Sequence, residues 1–350
     1  MIERRLPWSD AAWAQLPPLA ARGVHAVLLH GQRGVGKTSL ALDFGEALLC
    51  ASPLADGHRC GRCEECRLTR THSHPDLRWL LPQTLADRLL PQPEADEGDG
   101  DSAEAGEGEG KAPKASREIR VDQVRALADF LGIAAFRGGW RVVLVSPAEA
   151  MNTFTANALL KMLEEPPPRT MFVLVAHALD EVLPTIRSRC VLLQVPVPDV
   201  AAAAHWLAGQ GVAEPAAALA LASGAPLAAL AGSKAADTAA LYRLLEAGPA
   251  LTAAQIVAVI GRDLTLPPTL RLLQCWAFDL LSCRTLRPVR YHPSRSERIA
   301  SISARASGQR LWNWIDSLCN AVSAREHPLN ARLVIESLLV SYAQIFDDQR

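Results

Sequence analysis

The sequence predicts an α/β core on a parallel sheet, followed by a region that is helical throughout. Two patterns carry this. Short apolar strand-like runs alternate with a helical stretch between about residues 24 and 195, and beyond Pro198 the strand pattern stops. Composition agrees, because aromatics make up only 5% while Ala and Leu dominate, which favours helices over a sandwich or barrel.

The elements follow in order. HAVLLH (25–30) reads as a short buried strand, GQRGVGKT (31–38) as a glycine loop and SLALDFGEALLC (39–50) as a helix with Leu40, Phe44, Ala47 and Leu48 along its apolar side. Arg141–Val145 and Met171–Ala176 are further apolar runs of strand length. Between them a helix is expected over about Ala156 to Glu165, stopped by Pro166, Pro167 and Pro168. Strands separated by helices imply a parallel sheet covered on both faces.

A chain of 350 residues is too long for one core. The expected division is an α/β domain over 1–196, a small helical domain over 197–245 and a larger helical one over 246–350. Within the first lie a cysteine module at 50–75 and an acidic insertion at about 91–117. Glu94 to Glu109 holds eight acidic residues, no basic ones and several glycines, a composition that buries too little apolar surface to fold. Such a charge run usually keeps a loop in water.

Several function classes are disfavoured. The formal net charge is −1, so no global positive field grips nucleic acid, and any DNA contact must be local or shared. No apolar run reaches the 18 residues of a membrane span, and MIERRLPWSD has no apolar signal core, which points to the cytoplasm. In that reducing setting clustered cysteines suggest metal rather than disulfides.

Gly31, Gln32, Arg33, Gly34, Val35, Gly36, Lys37 and Thr38 fit the P-loop pattern without a mismatch, with Ser39 next in the helix. Glycines let backbone N–H groups turn inward around phosphates, and the helix N-terminus adds its positive end. Lys37 suits the β and γ phosphates, and the Thr38 hydroxyl suits Mg2+. Hydrolysis also needs an acid pair ending a nearby strand. At the tip of RVVLVSPAEAM stand Ser146 and Pro147 instead, and the nearest carboxylate is Glu149. The pattern therefore predicts a pocket that takes ATP or ADP, with Mg2+, without turnover.

Cys50, Cys60, Cys63 and Cys66 have the spacing of a closed structural Zn2+ site, which leaves no open position for catalysis. His58, His72 and His74 are nearby but unnecessary as ligands. Cys190, Cys275, Cys283 and Cys319 are expected to be packing residues. Arg187 and Arg189 follow the Met171–Ala176 run, where an exposed arginine suits a phosphate held by an adjacent subunit.

Taken together, HAVLLHGQRGVGKT, the four cysteines, SHPDL (73–77), NALLKMLEEPP (157–167), IRSRC (186–190) and the helical remainder resemble the clamp-loader branch of the AAA+ ATPases. Its bacterial members are the gamma/tau and delta-prime subunits of DNA polymerase III. Specific motifs cover about 24–195, and beyond that the likeness is architectural. Ser146 and Pro147 in place of the acid pair resemble the delta-prime branch, as do Leu227 and Ala228 where a second sensing arginine is expected after Gly224-Ala225-Pro226. On that branch no gamma- or tau-like extension is expected after Arg350. The intact P-loop is a departure, since some delta-prime subunits have lost theirs.

The resemblance implies an AAA+ module of α/β core and helical lid, then a helical collar that joins five subunits in a ring. Arg189 would act in trans at the ATP site of the adjoining gamma or tau subunit. The partners implied are gamma/tau and delta subunits in a hetero-pentamer, a sliding clamp and, through the assembly, primer–template DNA. A catalytically active gamma-like ATPase is the nearest rival. A P-loop kinase with a zinc lid leaves the helical region unexplained. A zinc-bearing DNA-binding protein lacks the basic and aromatic residues that it would need around the cysteines.

Overall fold

The computed structural model describes residues 5–90, 116–233, 238–259, 266–285, 287–323 and 330–346. The acidic insertion expected at about 91–117 lies, apart from its last two residues, outside them. The chain divides into two compact units, Met1–Val197 and Pro198–Arg350.

In the first unit the elements run α1 (Asp10–Trp13), α2 (Leu16–Ala21), β1 (Ala26–His30), α3 (Lys37–Leu49), α4 (Glu64–Arg70), β2 (Leu77–Leu80), α5 (Gln83–Leu89) and α6 (Val121–Gly132). β3 (Arg141–Val145), α7 (Thr153–Glu164), β4 (Thr170–Ala176), α8 (Pro184–Arg187) and β5 (Val191–Gln194) complete it. The five strands form one sheet in the order β2-β3-β4-β1-β5, and every pairing is parallel.

The central strands are apolar apart from Arg141, Thr170 and His30 at their ends, because both faces are covered. Every residue of β3 and of β4 is buried. One face of the sheet, with Leu28, Val143, Val145, Phe172 and Leu174, packs on α6 and α7 through Leu127, Leu131, Leu159 and Leu163. The other face receives α3. It approaches so closely that a Cβ at Gly45 would lie 3.0 Å from Val142 Cγ1. β5 is an edge strand, and its Val191 and Leu192 are exposed.

α7 starts at Thr153, three residues before the expected Ala156, because Asn152 caps it. The Asn152 side chain accepts from the Thr155 N–H at 3.0 Å, satisfying a donor of the first turn. The prolines at 166–168 follow its end. Strand order reverses beside β1, and in such sheets ligands bind beyond the carboxyl ends of the strands at that reversal. The glycine loop after β1 and the residues after β3 and β4 occupy that edge.

The second unit is helical throughout its described residues: α9 (Val200–Gly209), α10 (Pro215–Leu221), α11 (Pro226–Ser233), α12 (Thr238–Ala247), α13 (Ala253–Val259), α14 (Leu266–Arg284), α15 (Ser296–Arg305), α16 (Gly308–Ser323) and α17 (Ala331–Gln344). Ala203, Leu207, Leu219 and Ala229 of α9 to α11 form one small apolar cluster. A larger one draws on α12 to α17 around Trp276, Trp314 and Tyr342. The polar ends of these rings are paired as burial demands. Trp276 Nε1 donates to Tyr342 Oη at 3.2 Å, Tyr342 Oη donates to Leu245 O at 2.7 Å, and Trp314 Nε1 donates to Leu338 O at 2.9 Å. No single helix among the described residues is long and apolar enough to cross a membrane.

Candidate nucleotide pocket and metal centre

β1 ends at His30 and the chain turns at once through Gly31, with φ +135°. A Cβ there would sit 2.6 Å from Val195 O, so backbone geometry and space both demand glycine. Gly36, at φ +99°, is the N-cap of α3 and brings the helix N-terminus to the loop. Lys37 is 2% exposed and folds back on the loop, Nζ donating to Gly31 O and Gln32 O, both at 2.6 Å. Burial pulls its ammonium down to about 8, opposed by the Glu149 carboxylate and assisted by Arg33.

Thr38 Oγ1 lies 3.3 Å from the Oγ of Ser146, the buried residue just past β3. Glu149 sits in the turn that follows. Its Oε1 accepts from the His177 N–H at 2.9 Å, and its Oε2 is buried with no hydrogen-bond partner among the described residues. His177 directly follows β4, as Ser146 follows β3, and its Nδ1 is likewise buried without a partner. Burial first, then the Lys37 and Arg33 charges, pull its imidazole down to about 3. The structure thus gathers Gly31, Gly34, Val35, Gly36, Lys37, Thr38 and Ser39 with Ser146, Glu149 and His177. His177 escaped the motif reading, although its place after an apolar strand was visible. The strand tip offers neutral hydroxyl oxygen and no acid pair.

Arg189 is not at this pocket. Its Nε donates to Glu164 Oε1 at 2.7 Å, a second nitrogen pairs with the same carboxylate, and Nη1 donates to Thr185 O at 3.1 Å. It precedes β5, whereas the glycine loop follows β1, and the two strands run parallel with Val27 opposite Val191 and His30 opposite Gln194. Arg189 therefore lies at the opposite end of the strands from its own chain's P-loop.

The four cysteines converge. Cys50 caps the C-terminus of α3, Cys63 caps the N-terminus of α4, Cys66 lies in α4, and Cys60 lies between. Their Sγ atoms are all within 4.8 Å of one another, with Cys50–Cys66 at 3.6 Å, Cys50–Cys63 at 3.8 Å and Cys60–Cys66 at 4.0 Å. A tetrahedral ion with bonds of ~2.3 Å separates its sulfurs by ~3.8 Å, so the set fits Zn2+. Backbone N–H groups point at the sulfurs, as at Cys60 N to Cys50 Sγ, 3.3 Å, and Cys63 N to Cys60 Sγ, 3.4 Å. N–H groups of Arg62 and Cys63 lower the Cys60 thiol to about 6.

His58 and His74 are outside this set because carboxylates engage them, His58 Nδ1 2.9 Å from Asp43 and His74 Nε2 2.9 Å from Glu65. Burial raises the thiols of Cys190 and Cys275 to about 12 and about 11, as suits packing residues. Cys319, expected to pack, is exposed.

Over residues 19–199 the chain matches the family described as DNA polymerase III, delta subunit. It is 41% identical over 227 residues to the DNA polymerase III subunit delta' of Pseudomonas aeruginosa, covering 64% of this chain and 60% of that one. Against the subunit delta' of Escherichia coli it is 34% identical over 216 residues, covering 61% of this chain and 55% of the relative. The match thus spans less than two thirds of each relative's length. A solved Thermotoga maritima protein related to the DNA polymerase III gamma subunit aligns with 95% of this chain and 99% of its own, at 16% identity and a TM-score of 0.46.

Proposed function

The chain belongs to the DNA polymerase III delta-subunit family, and from that premise we propose that it serves as a delta-prime-type subunit of a clamp loader. In this reading it joins gamma/tau and delta subunits in a hetero-pentamer that places a sliding clamp on primer–template DNA in the cytoplasm. It completes a neighbour's ATP site and does not run its own.

The observation that carries the reading is the position of Arg189. An arginine at the end of the strands opposite its own P-loop is remote from its own nucleotide, which supports a role at one held by an adjoining subunit. A guanidinium supplied in trans stabilises charge developing on the transferred phosphoryl oxygens. The pairing with Glu164 does not argue against this, since exposed ion pairs contribute only ~0–1 kcal/mol and a phosphate is a stronger competitor.

The P-loop of 31–39 would hold ATP or ADP. With Ser146 and Pro147 at the strand tip in place of an acid pair, Mg2+ and the attacking water lack the carboxylates expected there, so bound nucleotide should persist. The four cysteines would hold Zn2+, which supplies a structural cross-link and no reaction step. We read 197–245 as the lid and 246–350 as the collar; the separate clusters of α9–α11 and α12–α17 support two helical parts, with α12 packed in the second.

The experiment is clamp loading by a reconstituted pentamer, followed with a fluorescent clamp on primed DNA. Arg189→Ala should slow loading by an order of magnitude or more without dissociating the complex. Loading at the wild-type rate would overturn the in-trans role.

A further inference from the structure

The cysteine module is tied to the P-loop helix by more than the chain. α3 carries Asp43 and Glu46 on one face, 4% and 1% exposed. Their partners come from the loop between Cys50 and Cys60. His58 Nδ1 lies 2.9 Å from Asp43 Oδ2, Arg59 Nε lies 2.8 Å from Glu46 Oε2, and the same Nε is 3.9 Å from Asp43 Oδ1. Cys50 caps α3 itself and Arg59 directly precedes Cys60, so the loop leaves the helix at one sulfur and returns at the next with its cation. A buried carboxylate stripped of its partner is costly, so whatever keeps this loop closed also keeps α3 in place.

A second line of contacts runs through the N-terminal segment. The Trp13 ring stacks on His58 at a centroid distance of 3.7 Å and an interplanar angle of 10°, and its Nε1 donates to Asp56 O at 3.1 Å. Shortly before it, Trp8 Nε1 donates at 2.8 Å to Val35 O, inside the glycine loop. One short segment therefore touches the cysteine loop with one tryptophan and the phosphate loop with another.

From this juxtaposition we infer that metal at the four cysteines and nucleotide at the P-loop are thermodynamically coupled, each tightening the other. Glu46, Arg59 and Asp43 are the positioning residues. The inference rests on reading 31–39 as a nucleotide pocket. The metal closes the loop, the loop presents Arg59 to α3, and α3 presents the N–H groups of its first turn to phosphate. Linkage requires the effect to be reciprocal.

The test uses the full chain with one zinc bound. A fluorescent ADP is titrated into the loaded protein and into protein freed of metal by a chelator under reducing conditions. Zinc transfer to a competing indicator is then followed with and without ADP. The expected result is a Kd about 10-fold weaker without metal and a matching gain in zinc retention with ADP. The double substitution Glu46→Gln with Arg59→Gln leaves all four cysteines and no unpaired charge. It should keep the fold by circular dichroism and bind one zinc, yet bring both factors close to one. Equal Kd values with and without zinc, or undiminished coupling in the double variant, would overturn the proposal. If the loaded chain binds no ADP even at millimolar concentration, the pocket reading fails and the nucleotide half of the coupling with it, and hydrogen exchange then tests the link from metal to P-loop helix by itself. Loss of amide protection across residues 31–49 on zinc removal supports it, and unchanged protection rejects it.

Discussion

Thr38 Oγ1 and Ser146 Oγ lie 3.3 Å apart at the strand ends where a working P-loop ATPase brings its metal-binding hydroxyl beside an acid. Two neutral hydroxyls meet there, and in the proposed reading this pair leaves a P-loop that holds nucleotide without turning it over. Ser146→Asp would restore a hard anionic ligand beside Thr38. Nucleotide affinity should then depend on Mg2+ by about 10-fold, read by titrating fluorescent ATP with and without the ion. An Mg2+ dependence equal to wild type would show that Ser146 does not face the metal position.

Lys37 gives the pocket a pH limb. Its ammonium titrates near 8 because burial disfavours the charge. The cation is complete below that pH and is lost as pH rises through it, so affinity of the free pocket for phosphate should be flat below about 7 and fall by about 10-fold towards pH 9. Lys37→Met should abolish the limb along with most of the affinity. Isothermal titration with ADP across that range reads both.

His177 gives stability a limb on the acid side. Its folded value, about 3, lies below the ordinary histidine value of 6.5, so the unfolded chain binds the extra proton between them. Stability contributed by the neutral ring is complete above about 6.5 and is lost as pH falls towards 3. Between pH 7 and 5 the loss is about 2 kcal/mol, and His177→Asn should remove most of it. Urea melts at the two pH values test this, and an unchanged difference in the variant would assign the acid sensitivity elsewhere.

Tyr342 ties three helices of the second unit, accepting from Trp276 Nε1 and donating to Leu245 O. Tyr342→Phe leaves a buried indole N–H and a carbonyl short of a partner, and should cost about 1–3 kcal/mol. A melting temperature within a degree of wild type would mean that the network carries no net stability.

The parts of this fold that were legible in the sequence are those with a local signature. β1, β3 and β4 carry apolar runs because both faces of each are covered, and α7 is stopped by the prolines at 166–168, though its start at Thr153 precedes the expected Ala156. The four cysteines and the P-loop announce themselves by spacing. β2 and β5 do not. In β2 the exposed Arg78 interrupts the run, and β5 is only four residues long, its apolar Val191, Leu192 and Leu193 too short a run to separate from a loop. The pairings that join sites were hidden for another reason. Asp43 with His58 and Glu164 with Arg189 are 15 and 25 residues apart, and only the folded chain brings them together. His177 was missed because a histidine after a strand carries no motif, although its environment makes it one of the most perturbed groups in the pocket.

The central claim is that hydrolysis belongs to a neighbour and that this chain contributes Arg189 to it. The most direct measurement is DNA-stimulated ATP hydrolysis by the reconstituted complex carrying either Lys37→Ala or Arg189→Ala in this chain, with the isolated chain as control. No turnover is expected from the chain alone, with a rate within about twofold of wild type for Lys37→Ala and at least a 10-fold loss at the dependent site for Arg189→Ala. Turnover by the isolated chain that vanishes with Lys37→Ala, and a complex indifferent to Arg189→Ala, would contradict the central claim.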